Sequence, residues 1–226
     1  MSKKNAVIVF SGGMDSTTLL YDIVASKEFN KIYAISFNYG QNHTKELVVA
    51  KKTCEKLRVE QKIVDVSFLG KELLFGSSLT TGADNIPEGD YNAENMKSTV
   101  VPNRNMILLS LSAGYAISIG ATVLFYGAHK GDHEIYPDCR FEFVEKMKQV
   151  LAICDWSEIE LRAPYLDFDK GDIAIRGKEL NVDYALTWTC YKGGEKACGK
   201  CGSCVERLEA FEKAGYSDSV EYEEEK

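Results

Sequence analysis

Short uninterrupted apolar runs alternate with amphipathic stretches along most of the chain, and this alternation is the strongest constraint on its fold. The first run, residues 6–10, is rich in β-branched side chains, which is typical of a strand buried on both faces. Residues 16–25 then carry apolar side chains at helical spacing. Since the pattern repeats, the sequence predicts an α/β fold with a doubly wound, mainly parallel sheet.

The same alternation predicts the remaining elements. Strands are expected at residues 31–38, 62–66, 122–126 and 158–163, and helices at 44–57, 105–119, 140–153 and 170–180. Residues 106–128 carry no charge and are long enough to cross a bilayer. Because serines and glycines interrupt them, we interpret them as a buried helix that feeds a buried strand.

Composition suggests two parts of unequal size. We expect a nucleotide-binding synthetase domain over residues 1–184 and a small C-terminal appendage over residues 185–226, with a terminal helix and an acidic tail. Residues 75–103 are rich in Gly, Ser, Thr, Asn and Asp, which predicts a long loop. A loop of that length in a compact domain usually has a function.

A glycine-rich segment between the first strand and the first helix is the strongest candidate for a phosphate site. Its glycines permit a tight turn, and the free N–H groups and dipole of the following helix favour a polyphosphate. Asp15 would hold a magnesium ion that bridges phosphates. A simple capped strand-to-helix turn is the alternative. The candidate nucleotide-binding residues are Phe10, Ser11, Gly12, Gly13, Met14, Asp15, Ser16, Thr17 and Thr18.

Four of the seven cysteines lie close together near the C-terminus, as Cys190, Cys198, Cys201 and Cys204. Four thiolates without a spare position describe a closed, structural zinc site. An iron–sulfur cluster is the alternative metal site, although the proline that follows a ferredoxin's last cysteine is replaced by Val205. An odd cysteine count, with a first apolar run too short for a signal peptide, predicts reduced thiols and a cytoplasmic location.

The charge balance bears on the class of partner. The chain has 34 acidic and 27 basic residues, a formal net charge of −7. Binding a long nucleic acid calls for a concentrated basic face. We therefore expect a small-molecule substrate, with no nucleic-acid or membrane partner.

The glycine-rich segment, Ser-Gly-Gly-Met-Asp-Ser at residues 11–16, resembles the signature of the PP-loop ATP pyrophosphatases. Further strings resemble one family within that group, the 7-cyano-7-deazaguanine synthases of queuosine biosynthesis. They are Phe-Asn-Tyr-Gly-Gln-Asn-His at 37–43, Val-Pro-Asn-Arg-Asn at 101–105, Tyr-Pro-Asp-Cys-Arg at 136–140, Ala-Pro at 163–164 and Thr-Trp-Thr-Cys-Tyr at 187–191. Together with the four cysteines, the resemblance extends from residue 10 to about residue 211.

The resemblance implies a ligase that converts 7-carboxy-7-deazaguanine and ammonium into the 7-cyano compound. ATP would adenylate first the carboxylate and then the amide, releasing AMP and diphosphate. The resemblance also implies a homodimer with one zinc per chain. No glutaminase signature is present in the sequence, so free ammonium is the expected nitrogen source.

Several side chains outside the phosphate segment are candidates for this chemistry. Asp15 and Arg104 are the expected catalytic residues, with Arg104 as the partner of a carboxylate or phosphate, or else a surface arginine at a helix start. Tyr39 or Trp188 would stack on a ring, or belong to the core. Asp138 and Arg140 would contact the polar edge of a deazaguanine, or cap and pair at a helix start.

Two other functions and one other site remain open. A PP-loop tRNA-modifying sulfurtransferase would use the cysteine cluster, but it calls for a basic RNA-binding face. A zinc-binding module without activity is disfavoured by the intact phosphate segment. His129 and His133 would form a second metal site only on a helix, and residues 130–132 predict a loop instead.

Overall fold

The computed structural model of the protein describes residues 3–42, 44–80 and 86–224. His43 of one family string, residues 81–85 of the predicted loop, and the last two residues of the predicted acidic tail lie outside the described residues.

Five strands form one sheet in the order β3-β2-β1-β4-β5. The strands are β1 (Asn5–Val9), β2 (Lys31–Asn38), β3 (Glu60–Asp65), β4 (Val123–Phe125) and β5 (Glu160–Arg162). Each neighbouring pair is parallel, with Ile8 of β1 in register with Ala34 of β2 and Phe125 of β4. The prediction of a parallel α/β fold is therefore confirmed.

Seven helices surround this sheet in the described part of the chain. They are α1 (Met14–Ser26), α2 (Lys45–Leu57), α3 (Ala93–Met96), α4 (Arg104–Ser118), α5 (Phe141–Ile153), α6 (Lys170–Glu179) and α7 (Gly202–Lys213). A π-helical segment (Leu69–Leu73) and 3-10 turns (Lys97–Thr99, Lys130–Asp132, Pro137–Cys139, Tyr184–Leu186) complete them. The predicted helices at 16–25, 44–57, 105–119, 140–153 and 170–180 are all present, with ends shifted by one or two residues.

Both faces of the sheet are buried, which explains the uninterrupted apolar strands. Val7 and Leu124 pack into one core with α4 and α5, while Ile8 packs into a second core on the other face. The uncharged segment after residue 105 supplies α4, whose Leu109 and Ala113 are buried in the first core. Among the described helices, none combines the length and the apolar content that a membrane span requires.

The strand order creates a crevice at one edge of the sheet. The chain passes from β1 to β2 and β3 on one side, and β4 and β5 lie on the other side of β1. In such sheets, ligands bind outside the carboxyl ends of the strands where the winding reverses. The site is therefore expected beyond the ends of β1 and β4.

The C-terminal segment packs closely on the sheet. Phe211 of α7 lies in the same core as Ile8 of β1, and Lys213 of α7 contacts Asp169 before α6. A buried ion pair between Arg207 and Asp218, 2.7 Å long, fixes the segment after α7. The division at residues 184 and 185 stays a prediction.

Candidate active site

A cleft of about 230 Å³ opens at the carboxyl ends of β1, β2 and β4. Its lining includes Ser11 after β1, Tyr39 after β2, and Tyr126 and Gly127 after β4. The cleft therefore lies at the reversal of the winding, where a doubly wound sheet binds its ligands.

The phosphate loop, residues 11–16, forms one side of this cleft. Gly12 has a φ of +84°, and a Cβ there would lie 2.5 Å from the carbonyl oxygen of Glu46, so the position requires glycine. The Ser11 hydroxyl accepts the N–H of Gly13 at 3.2 Å and lies 3.0 Å from the Ser16 hydroxyl. Gly13 gives α1 no side-chain cap, so the first N–H groups of the helix remain available to an anion.

The structure separates the predicted nucleotide-binding residues into two groups. Ser11, Gly13, Asp15 and Ser16 line the cleft. Gly12 shapes the turn behind them, and the Thr18 hydroxyl is 2.7 Å from that of Tyr184 in the protein interior. Phe10, Met14 and Thr17 are also buried. The nucleotide contacts of all nine residues stay predictions.

Asp15 is held by a buried lysine that sequence analysis missed. Its Oδ2 lies 3.2 Å from Lys170 Nζ and 3.8 Å from His129 Nε2. Burial opposes ionisation of this carboxyl, but Lys170 and His129 outweigh that effect and lower the pKa of Asp15. Lys170 also contacts Glu206 at 2.8 Å. The pair therefore keeps both charges, with a cation directly beside the phosphate loop.

A local signal for Lys170 exists in the sequence. Lys170 is the first residue of α6, where the helix dipole disfavours a cation. A residue that violates a local rule often belongs to a functional site. The lysine is buried in the cleft lining, which explains its position.

His129, in the segment after β4, contacts the Asp15 carboxylate that Lys170 also contacts. Its Nδ1 accepts the N–H of Gly131 at 3.1 Å, so Nε2 carries the proton when the ring is neutral. Nε2 lies 3.4 Å from Asp132 Oδ2, and Asp132 accepts the Tyr91 hydroxyl at 2.8 Å. His129 precedes a 3-10 turn and Asp132 is its last residue, so this segment contains no α-helix, as predicted.

Arg104 and Tyr39, a predicted catalytic and a predicted substrate-binding residue, lie together in the cleft, and their roles stay predictions. Arg104 Nη1 donates to the Tyr39 hydroxyl at 3.2 Å. Burial raises the pKa of Tyr39 to about 12, so its hydroxyl stays protonated. Glu46 of α2 also lines this part of the cleft, and burial raises the pKa of its carboxyl to about 7. Sequence analysis missed Glu46, because nothing on an amphipathic helix distinguishes it from a surface glutamate.

Asp138 and Arg140 have structural contacts outside the cleft lining. Asp138 accepts the backbone N–H of Asn105 at 3.0 Å and so caps the start of α4 beside Arg104. Arg140 is exposed and donates to the carbonyl of His133 at 2.7 Å. These contacts match the capping and pairing alternative, and the substrate role of both residues stays a prediction.

The four clustered cysteines converge on one point. Their sulfur atoms lie within 4.8 Å of one another, and all four residues are buried. Tetrahedral zinc with bonds of about 2.3 Å places its ligands roughly 3.8 Å apart. Cys198 and Cys204 are 4.0 Å apart, and the N–H of Cys201 donates to Cys198 Sγ at 3.3 Å. The cluster can therefore hold a metal ion.

The segment that carries these cysteines, residues 188–204, is called here the cysteine knuckle, and it also builds a side of the cleft. The N–H of Trp188 donates to the carbonyl of Gly12 at 3.0 Å. Ser203 lies 3.6 Å from Cys201 Sγ and donates to the carbonyl of Thr189 at 2.8 Å. Trp188, Thr189, Tyr191 and Ser203 all line the cleft. A metal in the knuckle would therefore shape the cleft without entering it.

Comparisons with known proteins agree with this geometry. Residues 5–215 match the family model described as Queuosine biosynthesis protein QueC. The 7-cyano-7-deazaguanine synthase of Caldicellulosiruptor bescii is 61% identical over 218 residues, covering 96% of this chain and 97% of that one. The enzyme of the same name from Methanoregula boonei is 56% identical, covering 96% and 99% of the two chains.

A solved structure shares the fold at much lower identity. The U34-tRNA thiolase NcsA of Methanococcus maripaludis has a TM-score of 0.51 and 19% identity, covering 81% of this chain and 59% of that one. At this identity the likeness supports the PP-loop fold alone. By sequence, the chain belongs to the QueC family of queuosine biosynthesis proteins.

Proposed function

We propose that this chain is an ATP-dependent carbon–nitrogen ligase, a 7-cyano-7-deazaguanine synthase. It would convert 7-carboxy-7-deazaguanine and ammonium into the nitrile through an adenylated carboxylate and an adenylated amide. The observation that carries the proposal is one cleft in which the phosphate loop and Lys170 stand with Arg104. A polyphosphate and a carboxylate can meet there.

The two ends of the cleft would perform different parts of the adenylation. The loop hydroxyls of Ser11 and Ser16 would bind diphosphate oxygens, and Lys170 would neutralise charge on the phosphates. Arg104 would hold the carboxylate against the α-phosphate. Most of the acceleration would come from this positioning and from fixed charge in a partly enclosed site.

Asp15 is the residue proposed to hold magnesium. Its Oδ1 is buried and has no hydrogen-bond partner in the described part of the chain, which suits a hard cation. When bound, magnesium would offset the negative charge of the phosphate oxygens. Lys170 keeps the Asp15 carboxyl ionised for that role.

Zinc is the metal proposed for the cysteine knuckle. Four thiol ligands fill a tetrahedral zinc site and leave no open position, so the ion would be structural. An iron–sulfur cluster belongs to the sulfurtransferase alternative, which the names of the relatives do not favour. Metal analysis separates the two: one zinc per chain and no iron is expected, and stoichiometric iron would favour the alternative.

We also propose a cytoplasmic homodimer. Seven free cysteines suit a reducing compartment. Large apolar side chains are exposed at the end of α5 and just after it, including Ile153 and Trp156, and such a patch suits burial against a second copy.

The reaction itself is the test of the proposed function. The protein is incubated with ATP, ammonium and 7-carboxy-7-deazaguanine, and diphosphate and nitrile are measured. Formation of both that depends on all three substrates is expected. Absence of carboxylate-dependent diphosphate release from a folded, metal-loaded protein would overturn the proposal.

A further inference from the structure

The proposed reaction needs a proton acceptor beside the reacting carboxylate. Turning ammonium into the nitrogen of a nitrile removes all four of its N–H protons. Two leave when the amide forms, and two leave when the adenylated amide loses AMP. A general base works best when its pKa lies near the working pH.

Among the described residues, three carboxyl residues line the cleft: Asp15, Glu46 and Asp132. Asp15 and Asp132 belong to the charge network beside the phosphate loop. Asp15 is paired with Lys170 at 3.2 Å, and Asp132 lies 3.4 Å from His129 and accepts the Tyr91 hydroxyl. Lys170 and His129 lower the pKa of Asp15 and make it a weak proton acceptor, and both oxygens of Asp132 are already in contact with protein donors.

Glu46 has a different setting in the first turn of α2. Its Oε1 accepts from Gln41 Nε2 at 2.7 Å, and Gln41 is fixed by the carbonyl of Phe37 at 3.2 Å. The carbonyl of Glu46 packs on Gly12, so this turn is in direct contact with the phosphate loop. The carboxyl is therefore held by Gln41, on a helical turn that touches the phosphate loop and within reach of the charge of Arg104.

The groups around Glu46 agree with a carboxyl that exchanges protons near neutral pH. Burial raises its pKa to about 7, while the neutral Gln41 and the charge of Arg104 act in the opposite direction. Tyr39 stays protonated. Lys45 on the same helix places its Nζ 3.7 Å from the centre of the Trp188 ring. Arg104, the proposed carboxylate partner, is thus close enough to Glu46 to influence it.

We propose that Glu46 is the general base for the nitrogen nucleophile, an inference that rests on the proposed function. The Glu46 carboxylate takes one proton from ammonium and passes it to solvent, and the lone pair of ammonia forms the C–N bond at the adenylated carboxyl carbon. Glu46 then takes a second proton from the nitrogen of this adduct, the C–O bond to AMP breaks, and AMP leaves with the electron pair. In the second half, the amide oxygen attacks the α-phosphate of a second ATP and releases diphosphate. Glu46 takes the two remaining protons from the nitrogen one after the other, passing the first to solvent, while the C–O bond to AMP breaks and the C≡N bond forms.

The test compares Glu46→Gln with Glu55→Gln, an exposed glutamate on the same helix. Carboxylate-dependent exchange of diphosphate into ATP measures adenylation alone, and nitrile formation from ammonium measures the complete reaction. Hydroxylamine, which is largely neutral near neutral pH, attacks an acyl adenylate without a base. Glu46→Gln should lower nitrile formation about 100-fold or more. Its diphosphate exchange and hydroxamate formation should stay within about threefold of wild type, as should every rate of Glu55→Gln.

The results separate this inference from the proposed function. Absence of diphosphate exchange in wild type would defeat the proposed function itself. Wild-type rates of diphosphate exchange and of nitrile formation in Glu46→Gln would overturn the role of Glu46. An equal decrease in the rates with ammonium and with hydroxylamine would overturn it as well. Wild type supplies a measurement that needs no variant. Between about pH 7 and pH 6, where hydroxylamine is still largely neutral, its rate at saturating ammonium should fall and its rate with hydroxylamine should not. The same acidic limb with both nucleophiles would also overturn the proposal.

Discussion

The cleft has two sides that are built in different ways. The phosphate loop consists of consecutive residues, and its shape follows from two glycines and the start of α1. The other side, which we call the composite wall, combines segments far apart in the chain. The composite wall contains Tyr39, Glu46, Arg104, Trp188, Thr189 and Tyr191.

This difference indicates where each side obtains its stability. The loop is held by its own backbone geometry and by packing of Gly12 on α2. The composite wall depends on the cysteine knuckle, where Ser203 connects Cys201 to the carbonyl of Thr189. A perturbation of the metal site should therefore damage the wall first, and a perturbation of the loop should leave the metal in place.

The largest effect is expected from Cys201→Ser, which removes one of the four proposed metal ligands. Structural zinc binds with about 10 kcal/mol or more, and that free energy supports the fold around it. We expect metal content to fall toward zero, and binding of the carboxylate substrate to be lost with much less change in ATP binding. Metal analysis and calorimetric titration measure these outcomes. Ser203→Ala, which removes a neighbour but no ligand, should keep the metal; a fully metal-loaded Cys201→Ser would contradict the dependence of the wall on the knuckle.

Asp15→Asn tests the phosphate loop, where we expect loss of adenylation without loss of metal. The substitution keeps the shape of the side chain but removes the charge beside Lys170. Carboxylate-dependent diphosphate exchange should fall about 100- to 1,000-fold, in the range seen when a fixed electrostatic group is removed from an active site. Metal content should not change.

The matched control is Asp22→Asn on the same helix. Asp22 pairs with Arg176 at 2.7 Å on the surface, where an ion pair contributes about 1 kcal/mol or less. Its exchange rate should match that of wild type. If Asp15→Asn retained full exchange, the phosphate loop would have no electrostatic role in adenylation.

The same difference explains what the sequence could and could not predict. The phosphate loop and the cysteine spacing are local patterns. Four of the nine predicted nucleotide-binding residues line the cleft and the four cysteines converge, while the roles of both sets stay predictions. Lys170 and Glu46 come to the cleft through the packing of α6 and α2, which no local pattern encodes. Asp138 was expected to contact substrate or to cap a helix, and only tertiary structure reveals its bond to Asn105.

Two glycine substitutions compare the backbone of the two sides. Gly12→Ala would force an L residue to a φ of +84° and place its Cβ 2.5 Å from a backbone oxygen. Strain and overpacking together should lower the free energy of unfolding by about 3 kcal/mol. Gly199→Ala in the knuckle has a φ of +69°, but its closest neighbour is 3.6 Å away. Gly199→Ala should lower the free energy of unfolding by about 1 kcal/mol, through backbone strain alone.

Chemical denaturation measures both variants. Since the proposed metal would stabilise the knuckle, the Gly199→Ala protein should be compared with wild type at equal metal content. An equal loss of unfolding free energy in the two variants would contradict the view that close packing on Gly12 stabilises the loop in addition to its backbone conformation.

The smallest effect is expected from the pH dependence of two carboxyls, one on each side of the cleft. Glu46 has a folded pKa of about 7, above its ordinary 4.5, so the folded state holds a proton that the unfolded state has released between these values. Stability must then fall as pH rises through that window. Glu46→Gln should therefore be about 1–2 kcal/mol more stable than wild type at about pH 8, and the gain should shrink as pH falls from about 7 and be absent below about pH 4.5.

Asp15 should show the opposite sign. Lys170 and His129 lower its pKa despite burial, so its ionised form stabilises the folded state above the ordinary value of 3.8, and this contribution is lost as pH falls through the folded pKa. Unfolding measured from about pH 3 to 8 should thus show Asp15→Asn losing stability relative to wild type at high pH while Glu46→Gln gains it. If both variants changed in the same direction, the two sides of the cleft would not differ in their electrostatics. A more stable but less active Glu46→Gln would mean that the composite wall keeps a destabilising carboxyl because the chemistry requires a proton acceptor there.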